Sequence, residues 1–136
     1  MTHDAKQKKW AIILGASSGF VAAAARELDK NGFDIIGIHL DRRNTAPLAE
    51  QVKQDVINAG REAYFINMNA SDEEKRKEAL DGFEAHIGQS DKVASVKLVL
   101  HSLAFGTLKP FFAEDPKEAL TKAQMDMTLD VMANSL

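Results

Sequence analysis

The sequence predicts an α/β fold, a parallel sheet of strand order 3-2-1-4 with helices on both faces. Three observations carry the prediction. Short apolar runs alternate with segments of helical periodicity in the order β-α-β-α-β-α-β-α, which argues for a parallel sheet between helix layers. The first run leads into the glycine-bearing turn Leu14-Gly15-Ala16-Ser17-Ser18-Gly19-Phe20 and then directly into a helix. An acid, Asp41, stands just after the second run. Right-handed crossovers, with a switch point beside the first strand, then give the order.

The elements follow in sequence. Residues 1–9 read as a polar leader with Lys6, Lys8 and Lys9 in solvent, and 10–136 as one domain. Trp10 to Leu14 is a buried strand. A helix spans Gly19 to Asn31, burying Val21, Ala24, Ala25 and Leu28, with Gly32 as its stop. Phe33 to Leu40 is the second strand, and a loop runs from Asp41 to Ala46. Pro47 opens a helix that buries Leu48, Val52, Val56 and Ala59 and ends at Gly60. Ala63 to Asn69 is the third strand. Ser71 and Glu74 form a capping box for a helix burying Ala79, Leu80, Phe83 and Ile87. A polar loop from Gly88 to Ala94 precedes the fourth strand, Val96 to His101. Asp115-Pro116 has N-cap and N1 residues, and Thr121 with Gln124 offers a second capping box, so a short turn and a longer helix to Leu136 are expected.

Composition narrows the functional classes. The chain has 136 residues, 45% hydrophobic and 27% charged, as an ordinary globular domain does. A net charge of −3 gives no basic field for nucleic acid or an anionic membrane. With no cysteine, disulfides, thiolate catalysis and cysteine-based zinc sites are excluded, which suits a cytoplasmic protein. The N-terminus has no secretory h-region, and no apolar run nears the roughly 20 residues of a membrane span. Four scattered histidines show no metal-ligand spacing, so no metal site is expected.

A strand, a glycine turn and a helix N-terminus make an anion site. Backbone N–H groups face the ligand and the helix dipole favours its charge. Gly15 and Gly19 permit close backbone approach, and the Ser17 and Ser18 hydroxyls can donate. Asp41 can accept hydrogen bonds from the ribose hydroxyls of an adenosine; Arg42 and Arg43 can stack on adenine or pair with a 2′-phosphate. Asp41 tips the reading slightly toward NAD, while the arginines keep NADP open.

Gly15-Ala16-Ser17-Ser18-Gly19-Phe20 resembles the Gly-x-x-x-Gly-x-Gly turn of the short-chain dehydrogenase/reductases, with Val21 where the third glycine falls. The resemblance implies a Rossmann-type dinucleotide-binding domain. It assigns adenine contact to Asn69 and Ala70, where the family usually has Asp-Val. The run His101-Ser102-Leu103-Ala104-Phe105 looks like the enoyl-acyl-carrier-protein reductase branch, in which it lines the nicotinamide ribose and the mouth of the acyl site.

The resemblance covers the family's first half, so the fold is expected to be incomplete at the C-terminus and truncated before the catalytic helix. The family's reaction needs a tyrosine and a lysine a few residues later. The single tyrosine, Tyr64, lies in a strand, so no catalytic residue is assigned and the chain alone is expected to be inactive. The expected function is the cofactor-binding half of an NAD(P)-dependent oxidoreductase acting on carbonyl or enoyl thioester groups. Two alternatives remain: an inactive nucleotide-binding or self-assembling fragment, and a SAM-dependent methyltransferase-like domain. The last helix is apolar on many sides, and family members commonly form tetramers through the corresponding face, so a homo-oligomer through it is expected.

Overall fold

The computed structural model describes residues 7–17, 19–90 and 93–136. The elements are β1 (Gln7–Leu14), α1 (Gly19–Lys30), β2 (Phe33–His39), α2 (Ala46–Asn58), β3 (Ala63–Asn67), α3 (Glu73–Ile87), β4 (Val93–His101) and α4 (Lys122–Met132). All three strand pairings are parallel, and the order is β3-β2-β1-β4. This is the expected Rossmann-type sheet. Two compact units divide the chain: the sheet with α1 to α3, ending at Ser102, and Leu103–Leu136.

Strand alternation sorts the helices onto faces. Ala11 and Ile13 of β1 and Ile35 of β2 join Val21, Ala22 and Ala25 of α1 and Val52 and Val56 of α2 in one buried cluster. Trp10 points to the opposite face. It is fully buried and meets Phe83 of α3 edge-on at 5.2 Å. Tyr64 of β3 also packs on α3, against Phe83 and His86. Thus α1 and α2 cover one face and α3 covers the other.

Several boundaries differ from the sequence expectation. β1 begins at Gln7, inside the expected polar leader, because Gln7, Lys8 and Lys9 pair with Val93, Ala94 and Ser95 of β4. Their long side chains are compatible with a strand: Lys8 pairs with Glu62, and the Lys9 ammonium lies over the Phe33 ring. For the same reason β4 starts at Val93. Leu48 and Leu80 are about half exposed, and Ala59 is exposed. The buried face of α2 instead runs Ala49, Val52, Val56, one position out of phase with Leu48. The N-cap of α3 is Asp72, not Ser71. The Asp72 carboxylate accepts from the Lys75 N–H, while the Ser71 hydroxyl donates to Asn69 Oδ1 at 2.7 Å.

In the second unit, Asp115-Pro116 forms the short turn. The Lys117 N–H donates to Asp115 Oδ1 and the Glu118 N–H to the Asp115 carbonyl. The capping box of Thr121 and Gln124 then opens α4 as expected, although the helix ends at Met132. No helix among the described residues is long and apolar enough to cross a membrane.

Candidate functional site

Parallel pairing brings the ends of all four strands to one edge of the sheet, and hydrogen bonds stitch that edge together. The Gly15 and Ala16 N–H groups donate to the Ile38 carbonyl at 2.7 and 3.2 Å. The Ser102 N–H donates to the Leu14 carbonyl, and the Met68 N–H to the His39 carbonyl. The residues singled out in the sequence at Gly15, Asp41, Asn69 and His101 therefore share one end of one sheet.

Two glycines shape the turn after β1. Gly15 has φ 90° and Gly19 φ 61°, in the left-handed region that disfavours side chains. Apart from its chain neighbours and the backbone of α1, no described atom lies within 4 Å of where a Gly19 Cβ would stand. Gly19 and Phe20 open α1, whose first turn holds no acidic residue. The first N–H groups of a helix have no intrahelical acceptor. The field at this end is thus positive and uncompensated by a nearby carboxylate of the helix itself. Phe20 is almost fully exposed beside it. Ser17 is half-buried at the turn, and Ser18 lies outside the described residues. Val21 points away, into the core under α1.

Asp41 is held from several sides. The Asn67 carboxamide clamps its backbone: the Asp41 N–H donates to Asn67 Oδ1 at 3.0 Å, and Asn67 Nδ2 donates to the Asp41 carbonyl at 2.9 Å. Its carboxylate meets His39 Nδ1 at 2.7 Å, and both side chains are only 8% exposed. Burial pushes the Asp41 carboxyl up, but hydrogen bonds from Thr45, Ser17 and His39 outweigh it and hold it below the ordinary carboxylate range. The Thr45 hydroxyl also lies 3.3 Å from the Arg42 carbonyl; its one proton favours the carboxylate, the stronger acceptor. An ionised carboxylate only accepts, so His39 carries its proton on Nδ1.

The remaining residues are placed as follows. Arg42 and Arg43 are exposed, and neither forms an ion pair among the described residues. Asn69 Oδ1 accepts from the Ser71 N–H and hydroxyl. Ala70 is buried, and its carbonyl accepts from Arg76 Nη1 at 2.7 Å. His101 is half-buried at the end of β4, opposite Leu14, and Ser102 is exposed. Leu103 and Ala104 belong to the second unit. Tyr64 is part of the packing between β3 and α3, with its hydroxyl against Gly82. No cluster of three or more metal-ligating side chains occurs among the described residues.

His39 and Asn67 are the contributors that motif reading passes over. The signal for His39 was the period-2 spacing to Asp41, which puts both on one side of an extended chain. Nothing local signals the Asn67 clamp, because it joins residues from two different strand ends.

Residues 9–97 match the family model described as short chain dehydrogenase. No curated protein matches the sequence. Among solved structures, the chain is similar to carveol dehydrogenase from Mycobacterium avium in complex with NAD, at 19% identity over 93% of this chain and 45% of that one, TM-score 0.74. It is similar to a Burkholderia cenocepacia protein named as a dehydrogenase, with bound NADP, at 18% identity over 95% and 44%, TM-score 0.75. It is similar also to a 3-ketoacyl-ACP reductase from Sinorhizobium meliloti 1021, at 21% identity over 93% and 44%, TM-score 0.72. At such identities the likeness is one of fold. The chain spans less than half the length of these structures.

Proposed function

Because the chain belongs to the short chain dehydrogenase family, we propose that it is the dinucleotide-binding half of an NAD(P)-dependent oxidoreductase. The observation that carries this reading is the glycine turn at the N-terminus of α1, where Gly19 has φ 61° and a Cβ on it would meet no atom beyond its chain neighbours and the helix backbone. A pyrophosphate suits such a turn, because its charge meets the helix dipole and its oxygens meet free N–H donors. Gly15, Ser17, Ser18, Gly19 and Phe20 would hold it. Arg42, Asn69 and Ala70 would border the adenosine end, and His101 and Ser102 the nicotinamide ribose, with Leu103 and Ala104 continuing from them. When bound, the dinucleotide supplies the hydride; the protein's share is binding, orientation and electrostatics.

The whole protein's reaction is part of the proposal. Reduction of a carbonyl or of an enoyl thioester fits the family, and His101-Ser102-Leu103-Ala104-Phe105 favours the enoyl branch. Family membership leaves the methyltransferase alternative without support.

The test is a fluorescence titration of the purified chain with NADPH and NADH, with ADP-ribose as competitor. Saturable binding of at least one, displaced by ADP-ribose, is expected. Absence of saturable binding by both overturns the reading.

A second observation favours self-assembly. No residue of α4 is buried, and Met125, Leu129 and Met132 are 38 to 50% exposed. Apolar side chains in such number on one helix are a common mark of an interface. Light scattering is expected to give a mass at least twice 14.9 kDa, reduced to the single-chain value by Leu129→Glu. A single-chain mass before substitution contradicts this.

A further inference from the structure

The turn between α1 and β2 lies outside the dinucleotide reading and holds a reactive pair. Asn31 and Gly32 are its two residues. Of the six asparagines in the chain, Asn31 is the one followed by glycine. Asn44 precedes β-branched Thr45, whose side chain crowds the backbone nitrogen. The Asn67 carboxamide is bound through both its oxygen and its nitrogen to the Asp41 backbone. Asn31 is exposed to water, and Gly32, at φ 84°, has no side chain to shield its nitrogen. Apart from its chain neighbours, no described atom lies within 4 Å of where a Gly32 Cβ would stand. Two hydrogen bonds hold the pair at rest. The Gly32 N–H donates to the Asp29 carbonyl at 3.0 Å, and Asn31 Nδ2 donates to the Glu27 carbonyl at 2.8 Å. Both acceptors lie in the last turn of α1. Helix ends open readily, so one local opening frees the nucleophile and the amide together.

We propose that Asn31 is a site of spontaneous deamidation, a change that marks aged copies of the chain and loosens the end of α1. The Gly32 nitrogen gives its proton to hydroxide and attacks Asn31 Cγ. The bond from Cγ to Nδ2 breaks, and the amide nitrogen leaves as ammonia, taking a proton from water. The resulting succinimide, which joins Cγ to the Gly32 nitrogen, is then opened by water. Opening at Cγ leaves aspartate. Opening at the Asn31 main-chain carbonyl leaves isoaspartate, with the chain now running through Cγ. Either product puts a carboxylate at the C-terminal end of α1, where the helix dipole repels it. The Glu27 carboxylate, 3.5 Å from the Asn31 amide nitrogen, repels it too. The donor to the Glu27 carbonyl is lost as well.

The test is peptide mapping by mass spectrometry after the purified chain is incubated, folded, at mildly alkaline pH. Loss of the Asn31 amide is expected ahead of every other asparagine. Part of the product should accept a methyl group from S-adenosylmethionine in the presence of an isoaspartyl methyltransferase, which identifies isoaspartate. Two variants read the structural effect. Asn31→Asp carries the product's charge, whereas Asn31→Gln keeps an amide on an arm too long to close the same ring. Asn31→Asp should melt about 2–4 °C below Asn31→Gln. An Asn31 amide that persists in the folded chain over a time in which the urea-unfolded chain loses it overturns the proposal, because the two hydrogen bonds then lock the pair. Faster conversion at another asparagine of the folded chain also overturns it. An Asn31→Asp variant as stable as Asn31→Gln overturns the claim that the change loosens α1.

Discussion

Replacing Gly19 with alanine is expected to weaken dinucleotide binding by about tenfold or more, an affinity loss of at least about 1.4 kcal/mol. Two effects combine. Gly19 has φ 61°, where a Cβ strains the backbone by about 1–2 kcal/mol. The added methyl also occupies the open space through which an anion reaches the first N–H groups of α1. Gly60→Ala separates them. Gly60 has φ 80° and open space around it, but it lies after α2, away from the strand ends that form the site. Its alanine variant should show a comparable loss of thermal stability with unchanged NADPH titration. If Gly19→Ala binds NADPH as tightly as the unchanged chain, the turn is a connection and nothing more.

Val21→Gly is expected to destabilise the fold by about 2–4 kcal/mol, combining lost burial with the poor helix propensity of glycine. The resemblance places a glycine at this position, so the substitution restores the family pattern and would relieve any obstruction of the turn by valine. The structure puts the side chain elsewhere. Val21 is 5% exposed and packs with Ala16, Ala22, Ala25 and the sheet residues beneath them. Removing it opens a cavity in the cluster that seats α1, and thermal or urea unfolding should report the loss. Under folding conditions the variant should bind dinucleotide no more tightly than the unchanged chain. A gain of tenfold or so in affinity without loss of stability would mean that valine does obstruct the ligand.

The parts of the fold legible in the sequence are those set by local rules. Alternation of apolar runs and helical stripes yields the element order, and the crossover rule yields 3-2-1-4. Thr121 and Gln124 mark the start of α4 because both halves of that hydrogen-bond exchange are local. Competition between neighbours is harder to read. Ser71 and Asp72 can each cap α3, and the choice of Asp72 depends on Asn69 engaging the Ser71 hydroxyl. Leu48 looks buried by hydropathy, yet the phase of α2 is fixed by its contact with the sheet through Val52 and Val56. At the candidate site the glycine turn and the acid were legible as residue types. Which way the Asp41 carboxylate turns was not, because that depends on His39 beneath it and on Asn67 from the next strand.

The most direct test of the central claim, that the turn before α1 receives the dinucleotide, is residue-level mapping. Backbone amide spectra of the isotopically labelled chain would be recorded by NMR through a titration with NADPH. The account predicts the largest shifts at Gly15, Ser17, Gly19 and Phe20, with a second group at Arg42 and Arg43. Shifts confined to the groove along α2, lined by Arg43, Ala46, Pro47, Glu50, Gln51 and Gln54, with none at Gly15 to Phe20, would contradict it. So would a spectrum that saturating NADPH leaves unchanged at the turn.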